Sequence, residues 1–381
     1  MRQKLALVVG ARPNFMKAAP LMQDLRRFPD IFDPILVHTG QHYDHRLSQL
    51  FFDELKMSRP DIYLGIGSGT HAEQTGQIMI ELEKVFLSSP PDLVVVFGDV
   101  NSTLAAAVVA AKLCLKLAHV EAGLRSFDSA MPEEINRIVT DRLADFLFVS
   151  ERSGLVNLAR EGIPNEKIFF TGNIMIDSLI KNLEVARKSD ILERLKLNPR
   201  TYITMTMHRP ANVDNRDALA GIMDGITRVS RRMPVIFPCH PRTKKMIDEF
   251  RLPIRGDGDA LRIINPLGYL EFLKLQSESK FVLTDSGGIQ EETTFLGIPC
   301  ITMRENTERP ATVEIGSNVI SGTDPEKITR SANAIIEGSI RTGSIPELWD
   351  GHTAERIVAV LLEKLTGATA TGIPAGSCKK D

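Results

Sequence analysis

The chain has 381 residues, 43% of them hydrophobic and 25% charged, with a formal net charge of −2. That composition is globular and long enough for two domains, and it excludes a global electrostatic grip on nucleic acid or an anionic membrane, so any anionic ligand must be met by local basic residues. No apolar run reaches the roughly 18 residues of a membrane span, and Cys114, Cys239, Cys300 and Cys378 lack the CxxC pairing of a zinc site or a disulfide framework.

The chain opens with Met1-Arg2-Gln3-Lys4 and the apolar stretch Leu5–Val9. This stretch is too short for a secretory core and reads as a buried strand, so a cytoplasmic location is expected. Further short apolar runs follow at Ile35–His38, Leu93–Phe97, Leu117–Val120, Phe146–Val149 and Ile168–Phe170. Continuous β-branched runs mark strands covered on both faces, hence a parallel sheet. Amphipathic stretches such as Met16–Phe28 and Ala72–Leu87 read as the intervening helices.

After Gly172 the alternation restarts, with strands expected at Tyr202–Met207, Val235–Pro238, Leu261–Ile264, Phe281–Thr284 and Cys300–Met303. Two alternating sets imply two doubly wound α/β sheets. The expected division is residues 1–172 and 173–352, with the helical, charged segment Asn173–Arg200 carrying the linker. A last packed helix is expected within 353–365, before a small, polar tail over 366–381 that reads as disordered.

Ligands of open parallel sheets bind beyond the carboxyl ends of the strands, so polar residues there carry the functional question. Arg12 and Lys17, in GARPNFMK after the first strand, are either solvated turn cations or partners for a diphosphate or base. Asp99, in GDVNST after Leu93–Phe97, either caps a helix or presents its carboxylate to a cleft. Glu121 closes an apolar strand, where an unpaired charge is costly, so it is expected to be paired or functional, with Arg125 and Arg137 as candidate partners. Glu133 follows a helix-starting proline and reads equally as a solvated first-turn acid.

In the second set, His208 stands at a strand end that mirrors Arg12 and has the chemistry of an acid, a base or a phosphate donor. His240, in CHPR, repeats the theme more weakly. Ser286-Gly287-Gly288 ends a strand and opens a helix, exposing N–H groups at the positive end of a helix dipole. Either this is an ordinary capped helix or it binds a diphosphate, with Glu292 suited to ribose hydroxyls. The turn matches neither GxGxxG nor a Walker sequence, no metal-ligand spacing appears, and no GxSxG suggests a serine hydrolase.

Together the segments GARPNFMK, HTGQHYD, FGDVNSTLA, HVEAGLRSFD, MPEEINR, MHRPANVDN, CHPRTKK, TDSGGIQEE and RENTERP, in that order over about residues 3–365, resemble the non-hydrolysing UDP-N-acetylglucosamine 2-epimerases. The resemblance implies a GT-B architecture, in which two Rossmann-like domains face a cleft and the final helix packs back on the first. It implies interconversion of UDP-N-acetylglucosamine and UDP-N-acetylmannosamine, without cofactor or metal, by elimination of UDP to 2-acetamidoglucal and its re-addition after the proton returns on the opposite face.

By motif, Asp99, Glu121, Glu133 and His208 are its catalytic candidates. Arg12, Lys17, Arg137, Phe272, Ser286, Gly287, Gly288, Glu292 and Arg309 are its substrate-binding candidates, with Phe272 either on uracil or in the core. Family likeness also implies a homodimer, and an activating second UDP-N-acetylglucosamine near Gln41, His42 and His240, although a basic residue that some members carry is missing from Gly67-Ser68-Gly69-Thr70-His71. Competing expectations are a 2-epimerase of a UDP-diacetamido-glucuronic acid, a hydrolysing epimerase, a GT-B glycosyltransferase and a non-catalytic nucleotide-binding module.

Overall fold

The structure is a computed structural model that describes residues 2–40, 59–252, 260–339 and 343–367. Gln41, His42 and nearly all of the expected tail lie outside the described residues.

Seven strands form the first sheet: β1 (Gln3–Val9), β2 (Phe32–His38), β3 (Ile62–Tyr63), β4 (Leu93–Phe97), β5 (Lys116–Ala122), β6 (Phe146–Val149) and β7 (Ile168–Phe170). They pair in parallel in the order β3-β2-β1-β4-β5-β6-β7. Along β1, Leu5, Leu7 and Val9 join one core cluster while Ala6 and Val8 join a second on the opposite face. Strand β4 divides in the same way, with Leu93, Val95 and Phe97 against Val94 and Val96. Burial on both faces is why these strands read as unbroken apolar runs rather than alternating ones.

The second sheet has six strands: β8 (Ile203–Thr206), β9 (Val235–Pro238), β10 (Leu261–Ile264), β11 (Phe281–Thr284), β12 (Cys300–Thr302) and β13 (Asn318–Ile320). Their order is β10-β9-β8-β11-β12-β13, again parallel. Strands β3 and β13, of two and three residues, are additions to the sequence reading, each too short for an apolar run to announce it.

Strand order reverses between β1 and β4 in the first sheet and between β8 and β11 in the second. At such switch points the crossovers leave in opposite directions and open a crevice at the carboxyl ends of the strands. The residues that follow β1, β4, β8 and β11 are therefore the ones the topology presents for binding, in the two-sheet GT-B architecture expected from the sequence.

One crevice wall forms earlier than the periodicity suggested. The helix expected from Met16 begins at Arg12, with Pro13 in its first turn, where a missing N–H is harmless. Asn14 Oδ1 accepts from the Gly10 and Ala11 amides at 3.2 and 3.1 Å, and its Nδ2 donates to the Phe97 carbonyl at 2.9 Å. One side chain thus ties the end of β1 to the end of β4. The final helix Thr353–Thr366 places Ile357, Val358, Leu361 and Leu362 in the same cluster as Leu5, Leu21 and Leu25.

Candidate active site

At the first switch point Glu121 lies within a β-bulge, where the β5–β6 register shifts between Val120 and Ala122. Its φ is +77°, a left-handed conformation that disfavours any side chain bearing a Cβ. Six other non-glycine residues among those described share such backbone, but Glu121 is the one that holds it inside a strand of the sheet. The bulge turns the carboxylate out of the apolar strand onto Lys17 and onto Arg309 Nη2, the latter at 2.7 Å. These are the partners that balance the buried charge, in place of the expected Arg125 and Arg137. Arg125 pairs instead with Asp141 at 2.8 Å and Glu161 at 2.7 Å.

Asp99, just past β4, accepts from Nε and Nη2 of Arg137 at 3.0 and 2.8 Å. Burial pushes its pKa upward, but Arg137, Lys17 and Arg309 outweigh that and hold the carboxyl below its ordinary range, so it is ionised at neutral pH. Arg137 also reaches Glu134, three residues earlier on the helix Pro132–Leu143. Asn136, on the same helix face, donates to the Asp99 carbonyl at 2.8 Å.

The second sheet supplies the other wall. Arg309 belongs to it, so its pair with Glu121 spans 188 positions of sequence and crosses between the sheets. Its Nε lies 2.8 Å from Glu291 and its Nη1 2.5 Å from Glu308. Burial works against the guanidinium charge, but Glu291 and Glu308 more than compensate. Glu308 is in turn held well below the carboxylate range by Arg309, Arg304 and Arg209 despite its burial. Arg209 also stands 3.6 Å from Glu133, a second contact across the crevice.

The helix Gly287–Leu296 begins at this network with Ser286 as its N-cap residue. A Cβ on Gly287 would lie 2.4 Å from Arg309 Nη1 and 2.9 Å from Glu308 Oε1, so only glycine lets the guanidinium lie against this helix start. Beside it, Asp285 accepts from the His208 amide at 3.0 Å and the Arg209 amide at 2.8 Å, and lies 3.3 Å from His208 Nδ1. One carboxylate after β11 therefore fixes the loop after β8.

The remaining candidates scatter around this centre. Glu292 is buried one turn further along and accepts from Tyr269 Oη at 3.2 Å and from Gln276. Burial, opposed by those two donors, raises its pKa to about 7. Phe272 sits half-buried on the same helix as Tyr269 and Gln276, Tyr269–Ser277. Arg12 is exposed at the start of its helix, and a Cβ on Gly288 would face Met175 Cε at 3.9 Å. His240 is exposed and caps the helix Pro241–Glu249, its Nδ1 accepting from the Arg242 amide at 3.2 Å.

Asp99, Glu121, Lys17, Arg137, Arg309 and Gly287 thus form one connected group, joined through Glu308 and Arg209 to Glu133. Sequence reasoning missed Asp285, Glu291 and Glu308. The one signal for them was an acid at or just past a strand end (Asp285) or next to the conspicuous SGG and RENTERP segments.

Chemically, the crevice sets Asp99 and Glu121 of the first half beside Lys17, Arg137, Arg209 and Arg309 and the start of the helix Gly287–Leu296. Among the described residues, no group of His, Cys, Asp and Glu is placed to hold a metal ion, and no helix is long and apolar enough to cross a membrane.

Comparison with known proteins identifies the family. The family model for UDP-N-acetylglucosamine 2-epimerase matches residues 23–362. A UDP-N-acetylglucosamine 2-epimerase of Methanocaldococcus jannaschii is 43% identical over 364 residues, covering 94% of this chain and 98% of the relative. A crystal structure of the M. jannaschii enzyme in complex with UDP-N-acetylglucosamine and UDP superposes with a TM-score of 0.86, covering 94% of this chain and 99% of that one. The UDP-2,3-diacetamido-2,3-dideoxy-D-glucuronate 2-epimerase of Pseudomonas aeruginosa is 39% identical over 365 residues, covering 95% of this chain and all of the relative. With this likeness running along nearly the whole of its two α/β halves, the chain belongs to the UDP-N-acetylglucosamine 2-epimerase family.

Proposed function

We propose that the protein interconverts UDP-N-acetylglucosamine and UDP-N-acetylmannosamine at the crevice between its two sheets. Carbon 2 of the sugar is not flanked by a carbonyl, so its proton is not acidic enough for direct removal and return. Elimination solves this: a base takes the proton from carbon 2, the bond from carbon 1 to the UDP oxygen breaks, and a double bond forms between carbons 1 and 2. Protonation of carbon 2 on the opposite face and re-addition of UDP at carbon 1 complete the epimerisation.

The observation that carries this reading is the pairing of Glu121 with Lys17 and Arg309. A diphosphate that takes over these cations leaves Glu121 beside the sugar with no counter-ion, and so raises its basicity where the proton must move. Asp99 is the partner carboxylate for the opposite face, His208 the group on the leaving-group side, and Glu133 the residue that orients the sugar or its partners. Arg12, Ser286, Gly287 and Gly288 hold UDP with Lys17, Arg137 and Arg309, Glu292 meets the ribose, and Phe272 stands against uracil. In this reading the enzyme acts as a cytoplasmic homodimer. An activating second UDP-N-acetylglucosamine near His240 would make the saturation curve sigmoidal.

Incubation with UDP-N-acetylglucosamine in deuterated water tests the reaction: the manno epimer should appear with deuterium at carbon 2. Free UDP accumulating in step with turnover would indicate hydrolysis instead, and turnover only of a diacetamido-glucuronate would move the substrate to that relative's. Glu121→Gln should lower kcat by about three orders of magnitude or more, the scale of losing a proton-transfer group, while UDP binding stays within a few-fold. Near-normal turnover by that variant removes Glu121 from the mechanism.

A further inference from the structure

Next to Asp99 and Glu121 lies a group of buried residues that the reaction itself does not use. We propose that His119 and Asp141 are positioning residues that lock the loop carrying Asp99 to the bulge carrying Glu121; the proposal rests on the roles just assigned to those carboxylates. His119 lies on β5 two residues before Glu121 and is completely buried, as is Asp141 on the helix Pro132–Leu143.

The His119 ring bridges the two. Its Nδ1 is 2.6 Å from Asp141 Oδ1 and its Nε2 is 2.8 Å from the carbonyl oxygen of Gly98, the residue before Asp99. Both neighbours are acceptors, so both hydrogen bonds form together only when the ring carries a proton on each nitrogen. Asp141 Oδ2 accepts the amide of Gly123, two residues after Glu121, at 3.0 Å and faces Arg125 at 2.8 Å. Burial pushes the Asp141 carboxyl up, but His119 and Arg125 outweigh it and keep the acid ionised. Arg125 also pairs with Glu161 at 2.7 Å.

The clamped residues are the ones whose backbone needs holding. Gly98 and Gly123 have φ of +61° and +81° and bracket the left-handed Glu121. Each is pinned at both ends. The Gly98 amide donates to the Val120 carbonyl at 3.0 Å while its carbonyl accepts from His119. The Gly123 carbonyl accepts from Asn157 Nδ2 at 2.9 Å while its amide donates to Asp141. A Cβ on Gly98 would lie 3.0 Å from Lys17 Nζ and 3.9 Å from Glu121 Oε2, so a small shift of this peptide moves Asp99 against both. The same helix already holds Asp99 through Asn136 and Arg137, and Asp141 sits one turn further along that face, four residues after Arg137.

Two apolar variants test the clamp. His119→Leu and Asp141→Leu should each lower kcat by about a hundredfold, the scale of a misplacement near 1 Å, with KM for the UDP-sugar and the stoichiometry of UDP binding little changed. A loss of stability alone would instead lower the number of UDP sites per chain and leave kcat per site unchanged.

Asp141→Asn should largely rescue, because its amide can donate to Nδ1 of a singly protonated His119 while its oxygen still accepts from Gly123 and Arg125. Parent-like kcat in the leucine variants overturns the clamp. So does a loss in Asp141→Asn as large as that of Asp99→Asn, and this comparison stands even if the leucine variants do not fold. Full activity of Asp99→Asn and Glu121→Gln would instead overturn the assigned roles.

Discussion

Lys17 shows how the crevice tunes a single side chain. Burial disfavours its ammonium, Arg309 adds repulsion, and Glu291 and Asp99 only partly restore the charge, so its pKa falls to about 8. A lowered pKa means that the cation is complete below this value and is lost as pH rises through it. Because kcat/KM reports the free enzyme, kcat/KM for the UDP-sugar should decline as pH passes about 8. Lys17→Met should lower kcat/KM by about tenfold to a hundredfold, the worth of one charged hydrogen bond, and flatten that alkaline limb. An unchanged limb in the variant would assign the decline to another group. Asp99, Glu121 and His208 stand out in the sequence because each follows or interrupts an apolar run with a polar group. Their partners were not legible. Arg309 meets Glu121 across 188 positions, and Asp141 and Glu134 look like any acids on a solvated helix. The positive φ of Glu121 leaves no mark in composition, since nothing in its neighbours' side chains announces a bulge.

At the scale of elements, the strands were readable because both faces of each sheet are covered, and β3 and β13 were not because two or three residues cannot form a pattern. Junctions between elements hold the less visible chemistry. Glu151, after β6 and before the helix Arg152–Arg160, is buried with Ser153 Oγ at 2.5 Å and the Ala311 amide of the second half at 3.4 Å. Burial raises its pKa from 4.5 to about 7, against those two donors. A raised carboxyl contributes its full stability below the unfolded value and loses it as pH climbs through the folded one. The parent should therefore weaken relative to Glu151→Gln between pH 4.5 and about 7. Melting temperatures should coincide near pH 4 and differ by a few degrees in favour of the glutamine variant near pH 8. The reverse order, or a constant gap at all pH values, would show that ionisation of Glu151 costs the fold nothing.

For the whole molecule, the chain leaves the first sheet's half near Gly172 and returns near Leu348, and these two crossings touch. A Cβ on Gly172, at φ +90°, would lie 2.1 Å from the Leu348 carbonyl oxygen. Arg356 Nη1 donates to the carbonyls of Thr171 at 3.1 Å and Leu348 at 3.4 Å. Asp177 accepts from the Thr353 and Ala354 amides at 3.3 and 2.8 Å, fixing the start of the final helix where the chain re-enters. We infer that the working division is 1–172 with the final helix against 173–352, so that closure of the crevice is motion about two adjacent strands of chain. In that division the final helix packs with the first half, Leu361 being wholly buried beside Leu5, Leu21 and Phe97 in a cluster that Ile174, Leu179 and Leu273 of the second half also join. Leu361→Ala should destabilise by about 2–5 kcal/mol through lost burial and the cavity left behind. Amide exchange in native protein locates that loss, because subglobal units open separately. Protection should fall in β1 and β4 and remain in β8 and β11. Equal loss in both sheets would mean that the halves unfold as one unit, and loss confined to β8 and β11 would place the helix with the second half and refute the division.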